Sequence, residues 1–239
     1  MSSDTDRLAR IRAAIDSEPR IRPTGGPIHL AFLGRDLLVE GEVDHVTGKK
    51  LALRAAARAS GADIVDRLHV RPAVPMGDGA IRTHLCDALL GEPVLADCAI
   101  AAWNGDRLET IRDTDGATGR IEVRVQDGVV TLDGEVAGHG RKRFAGVLAW
   151  WVPGSRDVVN GLGVSPPETD DDGAITDTVR QVLEKDPLVA SAAIEVGTRA
   201  GEVTLLGSVP SEQERHLAEA DAWYVFGVDA VLNRLDVQP

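Results

Sequence analysis

The chain is poor in aromatic residues, with four tryptophans, three phenylalanines and one tyrosine among 239 residues. It has two cysteines, Cys86 and Cys98, with eleven residues between them, a separation that fits no metal-ligand spacing and reads as two reduced thiols. The six histidines (His29, His45, His69, His84, His139, His216) are scattered with no pair at ligand spacing, so neither a metal site nor a cofactor is expected. Long apolar runs are also missing. The longest, Phe144 to Val152, has nine residues, about half of what a membrane-spanning helix needs. The opening Met1-Ser2-Ser3-Asp4-Thr5-Asp6-Arg7 has no basic stretch leading into an apolar core, so no signal peptide is read and a cytoplasmic protein is expected, with peripheral attachment to a membrane left open. Surplus positive charge is absent too. The net charge is −12, divided as +2 over residues 1–72, −4 over 73–166 and −10 over 167–239. An acidic chain of this kind is not built to neutralise phosphates, which argues against nucleic acid as a partner.

Catalytic signatures are missing as well. Gly41 and Gly48-Lys49 have the wrong spacing for a phosphate loop, and Lys50 stands where Ser or Thr is required. Asp113-x-Asp115-Gly116 fails as a calcium loop, because with Gly sixth the first ligand position is Ile111. With no nucleophile elbow and no cysteine–histidine signature, no enzyme is expected.

What the chain does contain is one strand three times: Leu37-Leu38-Val39-Glu40-Gly41-Glu42-Val43, Val130-Thr131-Leu132-Asp133-Gly134-Glu135-Val136 and Val203-Thr204-Leu205-Leu206-Gly207-Ser208-Val209. Each alternates with period two, as a strand with one buried face does. The glycine falls in the buried register, where the missing side chain is expected to admit a covering helix close to the sheet. The glycines lie 93 and 73 residues apart, and other landmarks keep that register. Glu18-Pro19, Glu92-Pro93 and Asp186-Pro187 correspond, as do Asn160-x-Leu162-x-Val164 and Asn233-x-Leu235-x-Val237. Val70-Arg71-Pro72, Val164-Ser165-Pro166 and Val237-Gln238-Pro239 close the three stretches. Periods this long are duplications of a small domain.

The third stretch is the most legible. Ile175, Val179, Val182 and Leu183 sit at helical spacing before Asp186-Pro187; Ala193–Val196 and the Gly207 strand follow; Ser211-x-x-Glu214 is a capping box, Gly227 is expected to close the helix it opens, and Val231–Val237 ends the unit. The order helix, strand, strand, helix, strand predicts an α+β fold: three tandem αββαβ domains, each a three-stranded mixed sheet with two helices on one face. The expected domains are 1–73, 74–167 with about 21 additional residues near 98–120, and 168–239 with an acidic linker at its start. Within the insertion, Ala99–Trp103 and Asp106–Ile111 flank Asn104-Gly105 and read as a hairpin with a tight turn, or else as an irregular loop.

The pattern resembles the BON domain, named for bacterial osmotic-stress and nodulation proteins. In the third stretch the resemblance rests on Asp186-Pro187, Ile194-Glu195-Val196, Gly201-Glu202-Val203-Thr204-Leu205, Gly207, Val209, Glu214-Arg215, Ala218, Gly227-Val228 and Val231-x-Asn233-x-Leu235-x-Val237. The second stretch matches through its strands but carries Gly154-Ser155-Arg156-Asp157-Val158 in place of the glycine-valine step, and the first is the most divergent. The resemblance implies a non-enzymatic module of the kind proposed to bind phospholipid or membrane surfaces, with potassium binding linked to some relatives.

Two features stand out as candidate sites. Lys49, Lys142 and Arg215 correspond at the start of the second helix, as do Lys50, Arg143 and His216, with Arg141 added in the middle stretch. Cations there oppose the helix dipole, so they are expected either to serve an anion such as a phosphate head group or to pair with nearby carboxylates. Trp150, Trp151, Trp223 and Tyr224 mark the ends of the second and third of these helices, and the helix from Phe144 to Val152 is apolar on every face. That face is expected to pack against a neighbouring copy or a second chain, to touch a membrane or ligand, or to be ordinary core. The leading reading is a binding module for phospholipid; the rivals are an assembly scaffold built on helix 144–152, including self-association, and a monovalent-cation binder.

Overall fold

In the computed structural model, which describes residues 4–238, the chain forms two compact units, residues 1–72 and 73–239. Pro239, the last residue of the third closing motif, lies outside the described residues. The first unit runs α1 (Asp4–Asp16), β1 (His29–Leu33), β2 (Asp36–Val43), α2 (Val46–Ser60) and β3 (Ile64–Val70). β2 is the middle strand, antiparallel to β1 and parallel to β3. Helix α1 buries Ile11 and Ile15, one turn apart. Helix α2 starts where His45 Nδ1 accepts from the Gly48 amide at 3.2 Å and stops at Gly61, whose left-handed backbone lets its amide reach the Ala57 carbonyl.

The second unit begins with α3 (Asp78–Leu90), β4 (Cys98–Asn104), β5 (Arg107–Arg112), β6 (Gly119–Gln126), β7 (Val129–Val136), α4 (His139–Trp151), β8 (Asp157–Asn160) and β9 (Gly163–Val164). It continues through α5 (Asp172–Lys185), β10 (Ile194–Arg199), β11 (Glu202–Val209), α6 (Glu212–Tyr224) and β12 (Ala230–Val237). Its first sheet has the order β5-β4-β6-β7-β8, with β9 also beside β7; its second is β10-β11-β12. The hairpin expected between Ala99 and Ile111 is present as β4 and β5. Its β4 strand lies parallel to β6 and so widens the sheet on that side. Among the described residues this is an α+β architecture with three mixed sheets and six α-helices. No helix among the described residues is long and apolar enough to cross a membrane.

The recurring glycines have a different role from the one expected. Gly41, Gly134 and Gly207 all have positive φ, at 144°, 113° and 122°. A Cβ on Gly134 would stand 2.2 Å from the Arg120 carbonyl oxygen, and one on Gly207 1.9 Å from that of Ala193. What approaches closely is thus the backbone of the adjacent antiparallel strand, not a covering helix. The glycine lets the strand bend there without a clash.

Turn chemistry adds a clasp that the sequence pattern did not reveal. Asp78, in the first turn of α3, accepts from the amides of Asp127 and Gly128, both at 2.9 Å. Asp172, in the first turn of α5, does the same for Ala200 and Gly201, at 2.6 and 3.0 Å. Each clasp holds a hairpin tip whose first residue, Asp127 or Ala200, has positive φ without being glycine. Two smaller expectations shift. Ser211 caps α6, accepting from the Glu214 amide at 3.2 Å, but the Glu214 carboxylate reaches the Ala190 amide instead of closing a reciprocal box. Helix α6 ends at Tyr224, short of Gly227, which turns the following loop with φ 90°.

Candidate functional site

The two candidate features of the sequence are the start of each second helix and the aromatic end of α4. At the first, the Asn-x-Leu motif has a structural explanation. Asn160 and Asn233 accept from the amides of Leu162 and Leu235 and donate Nδ2 to the carbonyls of Lys142 and Arg215, at 2.7 and 2.9 Å. The asparagine therefore ties the last strand to a carbonyl near the start of the helix, adding a second bond to an oxygen that the helix itself already uses. In the first unit Asp66 takes the same register position. It accepts from the Leu68 amide at 2.9 Å and, lacking a donor, binds the Lys49 ammonium at 2.8 Å. Lys49 also donates to the Leu68 carbonyl and is buried.

Most of the basic candidates are committed in this way, each to its own partner. Arg143 is 1% exposed, donates Nε to the Phe226 carbonyl at 2.8 Å and pairs with Asp170. Arg141 pairs with Asp97 at 2.9 Å, and Arg215 pairs with Glu212 one turn back at 3.2 Å. Lys50 is half-buried. His216 is exposed, and Lys142 places its ammonium 5.3 Å from the centre of the Phe226 ring. Cations at these helix starts thus serve mainly as internal ties. Of the remaining two, His216 faces outward and Lys142 is half-buried beside the Phe226 ring.

The aromatic candidates separate into core and seam. Helix α4 touches β7, β8 and β9 of its own sheet, α3 beside it, and α5 and α6 of the following stretch. That explains why residues 143–149 are buried on every side. Phe144 is fully buried and Trp223 is 1% exposed, so neither lies on the surface, while Trp150 and Trp151 at the end of the helix are half-buried. Trp150 stacks on Tyr224 at 6.0 Å, and Trp151 donates Nε1 to Asp221 Oδ1 at 3.0 Å. Lys185 pairs with Glu92 across the same seam. Trp150 and Trp151 of α4 thus meet Tyr224 and Asp221 of α6.

Asp221 is the most perturbed group of the seam. Burial pushes its carboxyl up to about 8, the Asp186 carboxylate nearby adds to this, and the Trp151 hydrogen bond opposes it. Burial, with Asp221 and Asp186 behind it, takes the Tyr224 hydroxyl up to about 12. Among the described residues no cluster of three or more His, Cys, Asp or Glu is placed to hold a metal.

Sequence reasoning missed Phe226. It lies two residues beyond α6, 52% exposed, in a loop held by the Arg143 bond to its own carbonyl. An isolated Phe before a Gly gives no periodic signal; only the arrangement of Lys142 and Arg143 around it makes it notable.

A family model of the BON domain matches residues 109–166 and 171–239, together just over half of the chain. The outer membrane lipoprotein DolP of Haemophilus influenzae is 32% identical over 120 residues, covering 48% of this chain and 62% of that protein. The osmotically-inducible protein Y of Escherichia coli is 32% identical over 133 residues, covering 53% of this chain and 64% of that protein. The matched regions span less than two thirds of each relative's length. A solved structure of the C-terminal domain of CdsD, a structural protein of the type III secretion system of Chlamydia trachomatis, aligns along the whole chain with 14% identity and a TM-score of 0.26.

Proposed function

Because the chain belongs to the BON domain family, we propose that it is a non-catalytic binding module that docks peripherally on an anionic phospholipid surface. The observation that carries this reading is the pairing of Phe226 and Lys142. An exposed aromatic ring with an ammonium 5.3 Å from its centre joins an apolar wedge to a cation, the combination that suits the boundary between acyl chains and head groups. The Arg143 bond to the Phe226 carbonyl holds the ring outward, so little ordering is needed on contact. His216, exposed near the start of α6, is a further candidate for head groups. One basic residue near such a surface contributes about 1 kcal/mol, so the apolar wedge must supply much of the affinity. The description of one relative as an outer membrane lipoprotein agrees with a membrane setting.

We further propose that residues 1–73 are a third, divergent BON domain. Support comes from the shared element order, from Gly41 with its positive φ, and from Asp66 and Lys49 standing where Asn and a basic residue stand in the other two. The domain limits at 73/74 and 167/168 go with this reading.

Co-sedimentation of the full chain with vesicles tests the lipid proposal. Binding is expected to phosphatidylglycerol-containing vesicles at low salt and not to pure phosphatidylcholine, and Phe226→Ala or Lys142→Glu should weaken it. Wild-type protein that stays in the supernatant with both vesicle types would overturn the proposal.

A further inference from the structure

We propose that the outer edge of β10 is a docking site for an extended, uncharged segment of a partner protein, which adds parallel to β10 as β4 adds to β6. The template lies within the chain itself. Strands β6 and β10 carry the same three residues in the same register, Ile121-Glu122-Val123 and Ile194-Glu195-Val196. On the inner side both pair with the glycine strand, Ile121 opposite Gly134 and Ile194 opposite Gly207. On the outer side β6 receives β4, with Ile100, Ala101 and Ala102 opposite Ile121, Glu122 and Val123. The third sheet ends at β10. An Ile-Glu-Val edge of this fold is therefore able to take a parallel strand, and here one copy of it has none.

The helix beside each edge differs in the way this requires. Cys86 in α3 and Arg180 in α5 correspond, each six residues before the acidic residue of Glu92-Pro93 or Asp186-Pro187. Where the strand is present the residue is a small buried cysteine. Where it is absent, Arg180 donates Nη2 to the Val196 carbonyl at 3.0 Å, taking the place of a ladder donor. The first sheet ends at β1, and Arg12, six residues before Glu18, holds that position. Arginine thus accompanies both open edges and cysteine the covered one. Arg180 is a flexible, half-exposed side chain tied also to Asp177 at 3.3 Å, so it can swing off the edge without disturbing the core. Beside it a groove of about 330 Å³ runs between α5 and β10, with Leu183, Ile194 and Val196 as its apolar lining and Arg180, Glu184 and Ser191 as its polar lining, and with room for alternate side chains of an added strand. The covering segment of the second sheet defines the chemistry. Its ladder residues, Cys98-Ala99-Ile100-Ala101-Ala102, are uncharged and mostly small. Main-chain bonds would give the affinity, and the groove would favour small or branched apolar side chains at alternate positions.

The test uses the full chain and a fluorescein-labelled, end-blocked peptide with the sequence of residues 98–104, Cys98 replaced by Ser. Anisotropy is expected to report saturable binding, and hydrogen exchange should slow at the amides of Val196 and Thr198. Arg180→Ala, which frees the Val196 carbonyl, should bind the peptide about threefold or more tightly. A peptide N-methylated at alternate residues, unable to pair, should not bind. Three results would overturn the proposal: no binding to wild type or Arg180→Ala up to roughly 1 mM peptide, protection at β6 in place of β10, or equal binding by the N-methylated peptide. Unchanged affinity in Arg180→Ala would remove Arg180 from the account and, with it, the argument from the cysteine–arginine exchange.

Discussion

Asp221→Asn should change how stability depends on pH in a direction that the seam geometry dictates. In the folded chain the carboxyl holds its proton up to about pH 8, against an ordinary value of 3.8. Between those limits the folded form carries a proton that the unfolded form has lost, so stability falls as pH rises through that window and levels off above it. The window covers about four pH units, which at about 1.4 kcal/mol each caps the effect at roughly 6 kcal/mol, before relaxation of the seam reduces it. The substituted amide would keep an oxygen for the Trp151 indole, now 3.0 Å from Asp221, and would have nothing to ionise. The variant should therefore gain on wild type steadily from about pH 5 to about pH 8 and be the more stable protein at about pH 9. Urea unfolding followed by tryptophan fluorescence across that range reads the difference directly, because Trp150 and Trp151 lie at the seam. A difference between the two proteins that stays constant with pH would refute the reasoning. Trp151→Phe supplies a second arm: losing the hydrogen bond that holds the Asp221 pKa down should move the wild-type inflection upward.

Three further outcomes follow from the geometry. Gly207→Ala and Gly134→Ala should each cost about 3 kcal/mol or more, since positive φ is joined by contact with a backbone carbonyl, whereas Gly41→Ala, whose nearest contact is at 3.5 Å, should cost about 1–2 kcal/mol; denaturation midpoints that rank Gly41→Ala worst would contradict this. Asn233→Asp sets a carboxylate against the Arg215 carbonyl and the Glu219 carboxylate, both now bonded to Nδ2, and should cost about 1–3 kcal/mol near neutral pH, recovering under acid in the same assay. The Asp172 carboxyl is held below its usual range by the Gly201 and Ala200 amides, so its clasp is present above the ordinary carboxylate pKa and is lost as pH falls through the lowered one. Asp172→Ala should speed amide exchange at Ala200 and Gly201, and an unchanged rate would remove the clasp from the account.

The recurring strands and most of the helices were legible because period-two alternation and Pro or Gly punctuation are local signals, though the end of α6 at Tyr224, short of Gly227, was not. The extra hairpin was readable for the same reason, but the parallel placement of β4 beside β6 was not, since nothing local tells a strand which edge to join. The role of the glycines was misread because alternation shows which face a residue occupies and says nothing about its φ. At the candidate site, the recurrence of Lys49, Lys142 and Arg215 marked a real structural position, yet pattern alone could not tell an ion pair such as Lys49–Asp66 from a ligand contact. Asp66 is acidic where its counterparts are asparagine, and only the geometry shows that exchange to be compensated by the lysine. The all-round apolarity of Phe144–Val152 did carry through, because a helix with no polar face must be enclosed by something.

Helix α4 completes the hydrophobic interior of the sheet it belongs to and also that of the stretch that follows it. A recombination break between residues 167 and 168 would leave one fragment with an uncovered greasy helix and the other with a buried aspartate facing water. The stretches on either side of that point should therefore fold only together, and duplication or shuffling that preserves folding would have to move both. A protease nick in the acidic linker would leave the two pieces bound to each other.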